Sequence, residues 1–189
     1  MSLFFSFAAN VYGSLSITQA FLPLLRKSTI PGYTKRISFI SSIPGAMALP
    51  AIGGDSASKH ALEGLADVFR RELQSWDIDV TVAQFGSIDT EKSDEKRDDI
   101  KREVTTPIDD SPIAKRYASM GTRMMKASDS VELKTSTTVT SALIESMLLD
   151  VVPKTRYRAG WDSFLVVPLF SLFPDRLRDL ILASAFRKP

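Results

Sequence analysis

Residues 36–90 read RISFISSIPGAMALPAIGGDSASKHALEGLADVFRRELQSWDIDVTVAQFGSIDT. Two short runs in it, RISFIS (36–41) and DVTVAQF (79–85), are rich in β-branched and aromatic residues and read as buried strands. Between them, residues 56–76 carry an apolar stripe at helical spacing: Ala57, Ala61, Leu65, Val68, Phe69 and Leu73. Pro44-Gly45, Pro50 and Gly53-Gly54 supply turn chemistry before that helix. A strand, a helix of this length and a second strand predict parallel pairing, since a parallel partner needs a long crossover. Ligands of such sheets sit at the carboxyl ends of the strands. Three features fall at those ends: Ser41-Ser42, the segment from Gly53 to Lys59, and Phe85-Gly86-Ser87-Ile88-Asp89-Thr90.

The flanks extend the pattern. Residues 3–27 repeat Phe7, Val11, Leu15, Thr18, Leu22 and Leu25 at helical spacing. Residues 91–128 are charged, contain Pro107 and Pro112, and end in a Met-rich patch at Met120, Met124 and Met125. They read as an insertion. Its apolar positions Ile108, Ile113, Tyr117, Met120 and Met124 suit either an adaptable substrate lid or ordinary packing. The charged run 91–103 reads as a solvated face. Residues 130–150 read as a helix, TRYRAG (155–160) as a third strand, and PDRLRDLILASAF as a closing helix with Pro174 in its first turn. The expectation is one α/β domain over 1–189. It would hold an active-site half at 1–90, a lid-like insertion at 91–128, and a last helix, edge strand and tail at 129–189.

Composition narrows the chemistry. The chain has 189 residues, 44% of them hydrophobic and 24% charged, an ordinary globular balance. A formal net charge of +2 argues against nucleic acid as a partner. There is no cysteine and one histidine, His60, which leaves little for disulfides, thiolate or imidazole metal sites, or a Ser-His-Asp triad. MSLFFSFAANVYG lacks a basic leader and is too short to span a bilayer. The expectation is an intracellular, cytoplasmic protein. FLVVPLFSLF with LRDLILASAF could instead lie on a membrane surface, cover the substrate cleft or meet a dimer partner.

The separated motifs together resemble the short-chain dehydrogenase/reductase family, in particular its steroid- and retinol-dehydrogenase-like members. NVYGSLSITQAFLPLLR (10–26) resembles the segment that opens with the family's active-site asparagine, here Asn10. RISFISSIPG resembles the strand bearing the catalytic serine, and SASKHALEGLADVFRREL resembles the helix after the Tyr-x-x-x-Lys motif. FGSIDT resembles the Pro-Gly-x-x-x-Thr loop at the nicotinamide, with Phe85 in place of proline. Ser42 stands thirteen positions before residue 55, the family's serine-to-tyrosine spacing, and Lys59 stands four after it. The resemblance implies a Rossmann-type doubly wound sheet and NAD or NADP as cofactor. It implies hydride transfer on a small hydrophobic alcohol or carbonyl. Ser42 would hold the substrate oxygen, Lys59 would bind the ribose and tune a proton donor, and Asn10 would serve a proton relay. Phe85, Gly86, Ile88 and Thr90 would face the nicotinamide. It also implies a homo- or heterodimer through helices 3–27 and 56–76.

Two departures bear on that reading. The family's glycine-rich turn, which lets a helix N-terminus hold the pyrophosphate, has no counterpart in these residues. The expected sheet is therefore a truncated one of about three strands. The chain would be a fragment, an incomplete gene model or a splice form, or would act by pairing with a full-length relative. The second departure is Asp55 at the tyrosine position. An ordinary aspartic acid titrates near 3.9, so roughly one in a thousand holds a proton at pH 7. A neighbouring ammonium makes a carboxyl a poorer donor, although it helps a phenol ionise. Asp55 as a catalytic residue competes with a plainer reading, a carboxylate at a helix start paired with Lys59. Ser42 as a turn residue and Asn10 as a polar helix residue are the plainer readings of those positions.

Overall fold

The computed structural model describes residues 3–31, 34–90, 93–130, 134–160 and 162–186. Positions 91–92 of the charged run and 131–133, expected to open a helix, lie outside them. The chain begins with α1 (Leu3–Phe7), a π-helical segment (Ala8–Gly13) and α2 (Ser14–Lys27), which continue one another in helical backbone. Then come β1 (Lys35–Ser42), α3 (Ile43–Ala46), α4 (Gly53–Glu72), a 3-10 turn (Leu73–Trp76) and β2 (Ile78–Phe85). The two-residue strand β3 (Ile88–Asp89), α5 (Ser93–Thr105), α6 (Pro112–Ser130), β4 (Thr135–Ser136) and α7 (Thr137–Leu149) follow. The chain closes with β5 (Arg156–Ala159), a π-helical turn (Asp162–Val166), α8 (Val167–Ser171) and α9 (Asp175–Phe186).

The main sheet has the order β1-β2-β5, and every pair in it is parallel. β1 meets β2 from Lys35 opposite Ile78 to Ser42 opposite Phe85, and β2 meets β5 from Val82 opposite Arg156 to Phe85 opposite Ala159. β2 is buried at every position except Asp79, as a parallel strand covered on both faces must be. Its side chains alternate between two cores. Val80 and Val82 join Phe39, Leu62, Ala66 and Leu73, with Leu22, Leu25 and Phe69 packed against them. Ala83 and Phe85 join Met147, Tyr157 and Ala159 with Leu143 and Ile144 of α7. Phe39 and Phe69 stack with ring centroids 6.1 Å apart. At the far end of β1, Arg36 donates to the Met147 and Asp150 carbonyls and pairs with Asp79, fastening α7 to the sheet.

The structure corrects one expectation and adds detail to others. The stripe expected on α4 is only partly in phase: Leu73 is buried and Phe69 packs against the core, but Ala57 and Val68 are exposed, and Ser58, Leu62, Glu63 and Ala66 complete the buried face. A periodicity count discards Glu63 as charged, and that removes one residue of the true buried face. Residues 93–128, expected to form a lid-like insertion, fold largely as two helices, α5 and α6. They cross so closely that a Cβ on Gly121 would collide with the Val104 carbonyl. The pair β3-β4, with Ile88 opposite Thr135, was not foreseen because two-residue strands leave no periodicity to read. The α2 stripe is in phase, with Val11 and Thr18 buried.

The phase of α4 is open to direct test. Leu62→Ala should cost about 2–5 kcal/mol in urea unfolding. Val68→Ala, on the exposed side, should stay within about 0.5 kcal/mol. Equal losses would contradict the packing described.

Candidate active site

The carboxyl end of β1 feeds directly into α3, with Ser42 as the N-cap in extended backbone. Successive strand residues point to opposite faces. Ser41 therefore turns toward α4, where its hydroxyl donates to Glu63 Oε1 at 2.8 Å in a buried contact. Ser42 stands at the strand terminus on the other side. Lys59, one helical turn before Glu63, donates from Nζ to the Ile40 carbonyl at 3.1 Å. That contact ties α4 to β1 two residues before Ser42. Gly45 of α3 fits between these groups: a Cβ there would collide with Ser41 Oγ and lie 2.8 Å from Glu63 Oε1 and 3.2 Å from Lys59 Cβ.

Asn10 lies in the π-helical segment, a backbone form frequent at functional sites. Its Nδ2 donates to Ser58 Oγ at 2.9 Å, and the Ser58 hydroxyl donates to the Asp55 carbonyl at 3.0 Å. Asp55 is in the first turn of α4, where the helix dipole favours a carboxylate. Asn10, Asp55, Lys59 and the end of β1 are thus gathered around the N-terminal turns of α4. The loop after β2 is held differently. Phe85 puts its side chain into the core, the Gly86 N–H donates to Ala159 O at 3.1 Å, and Ile88 packs against the same cluster. Thr90 is exposed. The Phe85 ring is therefore a packing group rather than a lining group, and the Gly86 N–H is already engaged in the sheet.

The sequence reading missed the polar network beneath this region. Glu63 accepts from Ser41 of β1, from Gln84 of β2 at 2.9 and 2.8 Å, and from Arg156 of β5 at 3.2 Å. Arg156 also donates to Asp67 at 3.1 Å, Arg158 to Gln84 Oε1 at 2.8 Å, and Ser163 to the Gln84 carbonyl at 2.7 Å. One signal was legible: a glutamine inside an otherwise apolar strand must have partners if that strand is buried. Burial pushes the Asp67 carboxyl up, but the hydrogen bonds and charges of Arg156 and then Arg70 outweigh it and hold it below the usual carboxylate value. Burial likewise works against the Arg156 guanidinium, and Asp67 and Glu63 together raise it above its usual value. Arg158 is pulled down by burial and by the charge of Arg156.

A family model described as short chain dehydrogenase matches residues 5–101, the stretch that holds Asn10, Ser42, Asp55, Lys59 and the loop after β2. The chain belongs to the short-chain dehydrogenase/reductase family. Human 17-beta-hydroxysteroid dehydrogenase type 6 is 30% identical, over 95% of this chain and 56% of that one. Mouse retinol dehydrogenase 7 is 28% identical, over 95% of this chain and 56% of its own. A solved short-chain dehydrogenase from Burkholderia cenocepacia J2315 in complex with NADP superposes with a TM-score of 0.61 at 20% identity. It spans 94% of this chain and 58% of that one, and shares its α/β fold. The chain spans somewhat more than half the length of the relatives it matches. No helix among the described residues is long and apolar enough to cross a membrane.

Two outcomes test the network. Glu63→Ala leaves Arg156 and Gln84 without their shared acceptor and should cost about 3–5 kcal/mol in chemical unfolding. Because the Asp67 pKa is lowered in the folded state, its contribution is complete above the ordinary carboxylate range and is lost as pH falls below about 4. Asp67→Asn should flatten that acid-side decline in a stability-versus-pH series. An unchanged slope would remove Asp67 from the account.

Proposed function

We propose that this chain descends from NAD(P)-dependent oxidoreductases of hydrophobic alcohols and carbonyls and that its site has lost the proton-transfer step. The observation that carries this is Asp55, four residues before Lys59 in the first turn of α4. In the lineage reaction a carbinol carbon gives a hydride to a nicotinamide while its hydroxyl gives a proton to a base; reduction runs both steps backward. A bound nicotinamide dinucleotide would supply or accept the hydride. Within this chain, Ser42 at the end of β1 would hold the substrate oxygen and Lys59 would hold the ribose. Lys59 Nζ is held at the carboxyl end of β1 by its bond to Ile40 O. Asn10 would steady the same turn through Ser58. Ile88 and Thr90 would border the nicotinamide. These residues fit a ribose and a substrate oxygen. Asp55 does not fit the remaining task, because at neutral pH a carboxylate has no proton to donate and is a weak base toward an alcohol.

The names of the relatives point to hydroxysteroids and retinol as the substrate classes to try. A second reading, as a dimerising partner, draws support from the exposed side of α2, where Ile17, Phe21 and Leu24 are each more than half exposed. Purified chain mixed with NAD or NADP and a hydroxysteroid or retinol should give no absorbance change at 340 nm. Measurable turnover would overturn the loss of proton transfer. NADPH fluorescence titration would report separately whether the cofactor is held, and sedimentation whether the chain self-associates.

A further inference from the structure

β5 carries two arginines, Arg156 and Arg158, two positions apart and so on one face of the sheet. It is the face that α4 covers, since Arg156 meets two carboxylates of that helix: Glu63 at 3.2 Å from Nε and Asp67 at 3.1 Å from Nη2. Asp67 turns its other oxygen to Arg70 at 3.3 Å. Arg158 has no carboxylate within ion-pair distance among the described residues. Three guanidiniums, those of Arg70, Arg156 and Arg158, therefore stand against two carboxylates, those of Glu63 and Asp67, and one positive charge is left over.

That leftover charge is held in a fixed orientation. A carboxylate only accepts, so the end of the Gln84 amide that meets both Glu63 oxygens, at 2.9 and 2.8 Å, is its nitrogen. The Gln84 amide oxygen is thereby turned to Arg158, whose Nε–H donates to it at 2.8 Å. Gln84 is 1% exposed, so packing holds the same orientation. Nε supplies one of the five guanidinium N–H groups; the other four, on Nη1 and Nη2, have no protein acceptor among the described residues. Neither of those nitrogens is a buried atom. Burial and the charge of Arg156 both disfavour the Arg158 cation and outweigh the help of Glu63. A guanidinium so placed gains more from an anion than one free in water, because its plane is already set and its charge is uncompensated.

We propose that the open side of the Arg158 guanidinium is a binding site for a carboxylate, taken in plane by two parallel bonds from Nη1 and Nη2. A singly charged anion matches the one surplus charge and brings Arg70, Arg156, Arg158, Glu63 and Asp67 to balance. Two planar groups joined by two bonds also set the direction of approach, so the site selects for a carboxylate over a spherical anion. The assignment stands apart from the loss of proton transfer. It uses none of Asn10, Ser42, Asp55 or Lys59, and Ser42 lies on the opposite face of the sheet from Glu63 and its partners.

The test uses the whole chain, isotope-labelled for NMR, with sodium acetate as probe and sodium chloride at equal ionic strength as control. The Arg158 Nε–H resonance and the amides of Ala159 and Gly160 should shift saturably with acetate and not with chloride. Arg158→Leu should abolish the saturable shift at Ala159 and Gly160 while the thermal midpoint holds, because Glu63 still fixes Gln84. Arg158→Lys keeps the charge without the fork and should weaken binding about tenfold. Arg71→Leu, which removes an exposed guanidinium of α4 outside the cluster, should leave binding unchanged. The end-capped dipeptide Glu-Glu, titrated in parallel, separates two sources of the same group: tighter binding than acetate identifies a polypeptide carboxylate, weaker binding a small acid, and either supports the site. An equal response to chloride, absence of saturation, undiminished binding by Arg158→Leu or Arg158→Lys, or loss of binding in Arg71→Leu would each overturn the proposal.

Discussion

The Glu63 carboxylate, carried on α4, accepts a hydrogen bond from each of the three main strands: Ser41 on β1, Gln84 on β2 and Arg156 on β5. A carboxylate this deeply buried is tolerable only because its acceptor positions are filled and a guanidinium balances its charge. Those conditions hold only when α4 lies across the sheet at one height and one rotation. An apolar contact tolerates small slides; four directional bonds to three strands do not. The same carboxylate crowds Gly45, so α3 also has one seat. The helix that bears the site and the strand that ends in Ser42 are therefore placed by a single charged group.

Lys59 follows from that placement. It precedes Glu63 by one helical turn, so fixing Glu63 against Ser41 brings the Lys59 ammonium to the Ile40 carbonyl. Asp55 lies one further turn back, and Asn10 reaches the same stretch of helix through Ser58. These residues are gathered at the N-terminal turns of α4. None of the bonds that set the height of α4 passes through the side chain of Asp55.

The two long strands of the sheet are in different circumstances. β2 has a bonded neighbour on each side and cores on both faces, and almost nothing of it reaches solvent. Among the described residues β1 has one bonded neighbour, and Ile17, Phe21 and Leu24 of α2 are exposed. Parallel sheets are normally covered throughout because each strand alone is too apolar to face water. Among the described residues the Arg36 Nε–H is a buried donor without a hydrogen-bond partner.

The succession of strands and helices, their parallel pairing and the positions of Asn10, Ser42, Asp55 and Lys59 can all be read along the chain. Each follows from local chemistry: apolar runs, proline and glycine punctuation, and motif spacing. The strand expected over 36–41 became Lys35–Ser42, and the strand over 79–85 became Ile78–Phe85. The full buried face of α4, the place of Phe85 in the core, and the meeting of Glu63, Gln84 and Arg156 emerge only on folding. Those facts depend on partners distant in sequence, whose bonds offset the cost of burying a charge. Hydrophobic periodicity records what each residue prefers alone, and a buried ion held by three strands is favourable only in company.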